Sequence, residues 1–300
     1  MKFTRFNLSR VLVPVCSLVV LLMATSTQPG ISAENEPDSV EYSDWIFDGY
    51  VELAEVPEPS GMCYHPGRNS LFLVDDGAIN PDGSVRIAAL FEIDLTASVL
   101  SKLEIGNDLE GVCWCSWDGM LYVCDEIDET VYVVDPDGLT VEGSFQVSRE
   151  FDGEPLLAAG GNGFEGIEYI DGSPGAPGYF LLLNQDDPHA LVRVEYEETI
   201  KPNLAVPVPI KSYKLLPQIN LGELHYDRDE RELWVVHSWM NVIEILDIDS
   251  LHLKRWEVCP GAAQEALAFD SEGRLWIGYD LGGLSRYVRP ADATLVEATE

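Results

Sequence analysis

Positive charge is scarce in this sequence. Its 300 residues carry 18 Lys and Arg against 52 Asp and Glu, a formal charge of −34 at pH 7. Such a surface repels nucleic acid and anionic lipid headgroups, and it attracts divalent cations and cationic ligands. Histidine is scarce too, at five residues. No cysteine spacing of a metal-binding kind recurs, so a site of convergent imidazoles or thiolates, as zinc or iron prefers, has little to draw on. There is no Gly-x-Ser-x-Gly elbow, and spacing assembles no Ser-His-Asp set. After the N-terminal segment, helical periodicity is missing, and no apolar run is long enough to span a bilayer.

What is present at the N-terminus is a targeting pattern. Lys2, Arg5 and Arg10 form a basic region, Val11 to Ala24 is apolar, and Ile31-Ser32-Ala33 offers small residues for cleavage. Residues 1–33 read as a signal peptide, with an uncleaved anchor helix as the alternative. The mature chain then starts near Glu34 and is exported, to the periplasm, the cell envelope or the medium. The leader takes three cations and no acid with it, so the mature charge is −37. About 267 residues remain, enough for one large β domain or two modest ones. The expected organisation is a flexible acidic stretch at 34–44, the β domain at 45–290 and a tail at 291–300. Five cysteines remain after cleavage: Cys63, Cys113, Cys115, Cys124 and Cys259. Their number is odd and their neighbours apolar, which favours buried thiols acting as small hydrophobes over disulfides.

Self-similarity decides the architecture. One phrase recurs five times: an acid or small residue, a short apolar strand, a polar turn, a second apolar strand and polar residues. The first strands begin Ser60-Gly61-Met62-Cys63-Tyr64, Glu110-Gly111-Val112-Cys113-Trp114, Glu165-Gly166-Ile167-Glu168-Tyr169, Gly222-Glu223-Leu224-His225-Tyr226 and Glu265-Ala266-Leu267-Ala268-Phe269. The second strands end at Asp76, Glu126, Gln185, Ser238 and Asp280. From first residue to last the phrase spans 16 positions in repeats one, two and four, and 15 in repeat five. Repeat three stretches to 20, because Asp171 to Gly178 enlarges its turn. A third strand follows each phrase and a fourth follows the first four repeats, around 99–105, 141–147, 208–215 and 253–258. Repeat five lacks its fourth, and an orphan strand at Ile46 to Leu53 precedes repeat one. The expected fold is therefore an all-β, five-bladed propeller of four-stranded antiparallel blades. The N-terminal strand completes the last blade and removes an exposed edge.

In such a ring, the start of each first strand and the end of each second strand emerge on one face, near the axis. That gathers Glu110, Glu165, Glu265, Glu126, Asp76, Asp280 and Gln185. Carboxylates this close raise one another's pKa unless a cation neutralises them. Calcium suits an oxygen-only set of flexible geometry; the other reading is that the acids hydrogen-bond loop amides and hold the ring closed. His237 is the one histidine in the ring. Trp114, Trp234 and Trp276 read as packing between blades.

The phrases Leu109-Glu110-Gly111-Val112 with Leu121 to Glu126, and Phe164-Glu165-Gly166-Ile167 with Asn184-Gln185-Asp186-Asp187-Pro188, resemble the SdiA-regulated family, which includes YjiK-like and calcium-regulated propellers of bacterial envelopes. The likeness runs over about residues 42 to 290. It implies an envelope or periplasmic propeller linked to calcium, with Glu110, Glu165 and Glu265 matching the family's Glu-Gly phrase and Glu126 its acid after the second strand. Gly222-Glu223, Gln185 and Ala266 depart from that pattern. Two functions follow as expectations. One is a calcium-binding envelope module presenting its acidic face to a small-molecule or protein ligand. The other is a calcium-dependent hydrolase, a phytase-like phosphoesterase or lactonase, in which His237 or His189 would move protons. Oligomeric state is open.

Overall fold

The computed structural model describes residues 40–41, 44–79, 85–157, 163–185, 189–199, 204–205, 207–209, 221–280 and 282–290. The expected signal peptide, most of the acidic stretch at 34–44 and the tail at 291–300 lie outside the described residues. No helix among the described residues is long and apolar enough to cross a membrane.

Each repeated phrase folds as the two inner strands of a four-stranded antiparallel blade, and two of the blades take a further two-residue strand in parallel at the outer edge, Leu204–Ala205 beside Thr140–Val147 and Val40–Glu41 beside Leu253–Val258. Blade one runs through Pro59–His65, Ser70–Asp75, Ala89–Asp94 and Val99–Glu104. Blade two is Leu109–Trp114, Leu121–Asp125, Thr130–Asp135 and Thr140–Val147. Blade three is Phe164–Ile170, Tyr179–Asn184, Ala190–Glu195 and the short Pro207–Pro209. The rest of its expected fourth strand lies outside the described residues. Blade four is Leu221–Asp227, Glu232–His237, Val242–Asp247 and Leu253–Val258. Blade five has three strands of its own, Gln264–Phe269, Leu275–Tyr279 and Leu284–Val288. Its fourth is the N-terminal strand Ile46–Val51, antiparallel to the third with Ile46 opposite Val288 and Val51 opposite Leu284. The first strands touch in the order one to five and back to one, so the ring closes.

The inner strands are buried on both faces, which is why they read as nearly unbroken apolar runs: Ser70–Asp75 is buried throughout. Outer strands cover the core with one face only, and Val99–Glu104 alternates half-buried and exposed residues. The core is divided into five clusters, each filling the space between two neighbouring blades. Between blades two and three Tyr122 and Phe180 meet at 4.3 Å between ring centroids. Trp276 packs against Met62 and Phe91 between blades five and one, and Trp234 packs with Leu267 between four and five. Burying one such side chain contributes about 1.5–3 kcal/mol, offset by the cost of ordering the chain.

The glycine of the phrase is required by how closely the first strands approach. A Cβ on Gly61 would lie 2.5 Å from the Glu110 carbonyl oxygen, and one on Gly111 would lie 2.8 Å from the Cα of Gly166. The acid before it sits in a bulge. Pro59 pairs with Asp75 and Gly61 with Val74, leaving Ser60 over; the same slip leaves over Glu110, Glu165 and Glu265. An extra residue of this kind re-aims its side chain away from the sheet. The repeat-four departure follows from the same register: Leu221 pairs with His237 and Leu224 with Val235. Gly222 therefore occupies the bulge, and Glu223 stands where the other repeats have glycine or alanine.

Candidate functional site

Bulges at the starts of the first strands and the turns after the second strands meet at one mouth of the axis. There the structure gathers Asp76, Glu110, Glu126, Glu165, Glu265 and Asp280 into one electrostatic cluster, and Asp108 joins them. One carboxylate oxygen from each of Asp76, Asp108 and Glu110 falls within 4.8 Å of the others. The carboxyl of Glu126 is within hydrogen-bonding reach of those of Asp108 and Glu165. Glu126 Oε1 also accepts the Gly163 N–H at 2.6 Å, which fixes its direction.

Burial and mutual repulsion push these acids up. Asp76 rises to about 7, through burial first and then the charges of Asp108, Asp280 and Glu265. Asp108 also rises to about 7, through burial and the neighbouring Glu126 and Asp125. Glu265 reaches about 7 through burial and Asp280. Glu110 and Glu165 lie well above the usual carboxylate range: burial leads in both, followed by Glu165 for the first and Glu126 for the second. Two cations stand at the rim. Arg86 pairs with Glu58 and Asp75 and reaches Asp76 at 3.2 Å; Arg149 pairs with Glu129. Arg86 thus neutralises part of the charge at Asp76, and no such pair with either cation is seen for Glu110, Glu165 or Glu265 among the described residues.

Both readings of the acids find residues. Asp75 and Asp125, one place before the ring acids, are buried and hold loops. Asp75 accepts the N–H groups of Gly77 at 3.1 Å and Glu58 at 3.3 Å, and Asp125 those of Asn107 at 2.7 Å and Asp128 at 2.8 Å. Asp76 and Glu126 belong to the mouth. Gln185 is buried, and its amide donates to the Leu221 carbonyl at 3.4 Å, tying blade three to blade four. His237 is fully buried and its Nε2 lies 3.0 Å from Glu244 Oε2 within blade four, so it belongs to the sheet and not to the mouth.

Two acids escaped the sequence pattern. Asp108 lies in the approach to the first strand, two places before the bulge; Glu58 has the same offset in repeat one, and that repetition was the available signal. Glu223 is fully buried on the axis. Added Cβ atoms on Gly61 and Gly166 would come within 3.0 and 2.9 Å of its two oxygens, so the glycines make the room it fills. The five cysteines of the described chain are all free and buried.

The family model described as SdiA-regulated matches residues 51–279. No curated protein gives a significant match. Among solved structures, the glutaminyl cyclase of Myxococcus xanthus is similar at a TM-score of 0.57 and 14% identity, over 83% of this chain and 98% of that one. The β-propeller domain of Cps50 (Swd1) from Myceliophthora thermophila gives 0.42 at 14% identity, over 78% and 65%. A Bacteroides caccae protein of unknown function gives 0.44 at 11%, over 73% and 69%. The first of these likenesses shows the five-bladed fold, not the chemistry.

Proposed function

The chain belongs to the SdiA-regulated family, and from that premise we propose that it is an exported calcium-binding module whose ion sits at the acidic mouth of the propeller. The observation that carries this reading is the approach of Asp76, Asp108 and Glu110 oxygens to within 4.8 Å of one another. Two oxygens bound to one calcium at about 2.3–2.6 Å can be at most about 5 Å apart, so the three can share an ion. Glu126, Glu165, Glu265 and Asp280 supply further oxygens around them. The set is all oxygen, which suits a hard cation of six to eight ligands and not zinc.

The repulsion that adds to burial in raising these pKa values supplies the driving force. Without a cation, several of these carboxyls hold protons near neutral pH; a divalent ion offsets the repulsion and lets them ionise together. The strongly negative surface raises the local cation concentration. With calcium in place the mouth presents a partly neutralised acidic ring, to which a small-molecule or protein ligand can coordinate. Export to the periplasm or envelope, read from residues 1–33, would expose that ring to external calcium.

The test is the melting temperature of the mature chain, stripped with chelator, with and without calcium. Saturation at about 100 times Kd stabilises by about 2.7 kcal/mol. Glu110→Gln with Glu165→Gln should abolish most of that gain. An unchanged melting temperature on adding calcium to the unaltered chain would remove the site. Turnover of phosphate esters or lactones by the calcium-loaded chain would replace the module reading with the hydrolase.

A further inference from the structure

The opposite mouth of the axis carries a second constellation, which the calcium reading does not use. Four places after the bulge residue every repeat has an aromatic: Tyr64, Trp114, Tyr169, Tyr226 and Phe269. Four of these rings, all but Tyr169, line a pocket of about 160 Å³ that draws residues from all five blades. Blade three contributes Glu168, and blade four contributes His225 and Arg228. A cavity of about 150 Å³ takes a molecule the size of benzene, so this one suits a ligand of about six to eight heavy atoms. Unlike the packed Trp234 and Trp276, Trp114 is only half-buried, and the Arg228 guanidinium lies 5.7 Å from its ring.

The polar groups of the pocket are a carboxyl and a guanidinium: burial pushes Glu168 up to about 7 against the Arg228 charge and the N–H groups of Tyr226 and Tyr169, which pull it back toward the ionised form. Glu168 is buried, and its oxygens accept the N–H groups of Tyr169 at 3.0 Å and Tyr226 at 3.2 Å. The two bonds fix its orientation and leave lone pairs to spare. His225 stands beside it, Nδ1 to Oε2 at 3.8 Å, and burial lowers its pKa to about 4, so the imidazole is neutral at pH 7. Arg228 donates Nε–H to Asp171 at 2.8 Å, its one hydrogen bond among the described residues. Four of the five guanidinium N–H groups thus stay available.

We infer that this pocket binds a small zwitterion, a free α-amino acid, with its ammonium on Glu168 between the aromatic rings and its carboxylate on Arg228. A bare anion would meet Glu168 and the negative field of the whole chain. A bare cation would meet Arg228, which already occupies the Trp114 ring. A ligand carrying both charges satisfies both groups and adds none to the site. Aromatic faces favour ammonium groups, and guanidinium binds carboxylate through a two-pronged contact. Size adds a further limit: glycine, alanine and serine fit the volume, and tryptophan does not.

The test uses the unaltered mature chain in chelator, so that the acidic mouth is kept out of the readout. Titrations with L-alanine, ethylammonium, propionate and L-tryptophan are followed by calorimetry and by tryptophan fluorescence. L-alanine should bind at least about tenfold more tightly than any of the other three, a difference of about 1.4 kcal/mol. Arg228→Gln and Glu168→Gln should each weaken alanine at least tenfold, with circular dichroism checking that they fold. If a variant does not fold, the ligand series on the unaltered chain decides alone. Absence of alanine binding, or ethylammonium or propionate binding as well as alanine, would overturn the assignment.

Discussion

Glu223 of blade four accepts a hydrogen bond at 3.0 Å from the backbone N–H of Met62 in blade one, 161 positions away in the chain. These blades are not neighbours in the ring, so the bond crosses the axis. The other oxygen of Glu223 accepts the Leu224 N–H at 2.8 Å; burial pushes its pKa up, and the two N–H groups, which favour the ionised form, pull it part of the way back.

Both oxygens of Glu223 therefore act as acceptors, and an amide cannot replace them. Glu223→Gln would turn an NH₂ group toward a backbone N–H, leaving a buried donor unsatisfied at a cost of about 1–3 kcal/mol. Glu223→Ala, which also leaves a cavity, should cost at least as much. Urea unfolding at pH 7 checks this, and a change below about 0.5 kcal/mol for both variants would mean that the bond across the axis does not form.

The axial acids give the metal-free protein an unusual pH dependence. Asp76, Asp108 and Glu265 have ordinary values near 4 when unfolded and about 7 when folded. Between those limits the folded state holds more protons than the unfolded state, so stability falls as pH rises through the window. In chelator, the melting temperature should drop by several degrees between pH 5 and pH 8, and saturating calcium should flatten the slope. A metal-free profile flat over that range would place the carboxyls farther apart than the structure does.

Close packing of the first strands predicts a contrast between glycines. Gly111→Ala would place a methyl 2.8 Å from the Gly166 Cα and 2.9 Å from the Ile167 nitrogen, both backbone atoms that cannot turn aside. It should cost about 1–3 kcal/mol. Gly49→Ala, in the closing strand, meets nothing within 4 Å and should leave stability unchanged or raise it by up to about 1 kcal/mol. Equal urea midpoints for the two variants would contradict the glycine ring.

The thiols should be silent in the native state. Cys63, Cys113, Cys115, Cys124 and Cys259 are buried, and burial pushes their pKa up, that of Cys115 to about 12. A thiolate reagent at pH 8 should modify none of the five within minutes and all of them in denaturant, as read by mass spectrometry. Rapid native labelling at any of them would show that its blade opens.

Much of this was legible in the chain. The five phrases and their nearly regular spacing, stretched only where the turn of repeat three is enlarged, pointed to the blade count, because inner strands buried on both faces cannot vary freely. The lone strand at residues 46–51 found its place because blade five lacked an edge. The mouth acids Glu110, Glu165 and Glu265 were legible because all three occupy one register position. Less could be read where a residue's role depends on what lies across the ring. His237 ends a second strand, as the expected ring residues do, yet it turns to Glu244 on the neighbouring strand. Glu223 looked like a broken motif, and only the closed ring shows Gly61 and Gly166 making room for it. Asp108 sits in a loop before the first strand of its blade, where only the matching offset of Glu58 in repeat one marks it.

Proton release on calcium binding tests the central claim most directly. Calorimetric titration of the stripped mature chain, repeated in buffers of different ionisation enthalpy, counts the protons displaced. If crowded carboxyls hold protons that the ion expels, release per calcium should be clear at pH 6.5 and shrink by pH 8.5, and Glu110→Gln with Glu165→Gln should remove most of the binding heat. Calcium binding with no proton release at either pH, or with full heat in the double variant, would contradict the account.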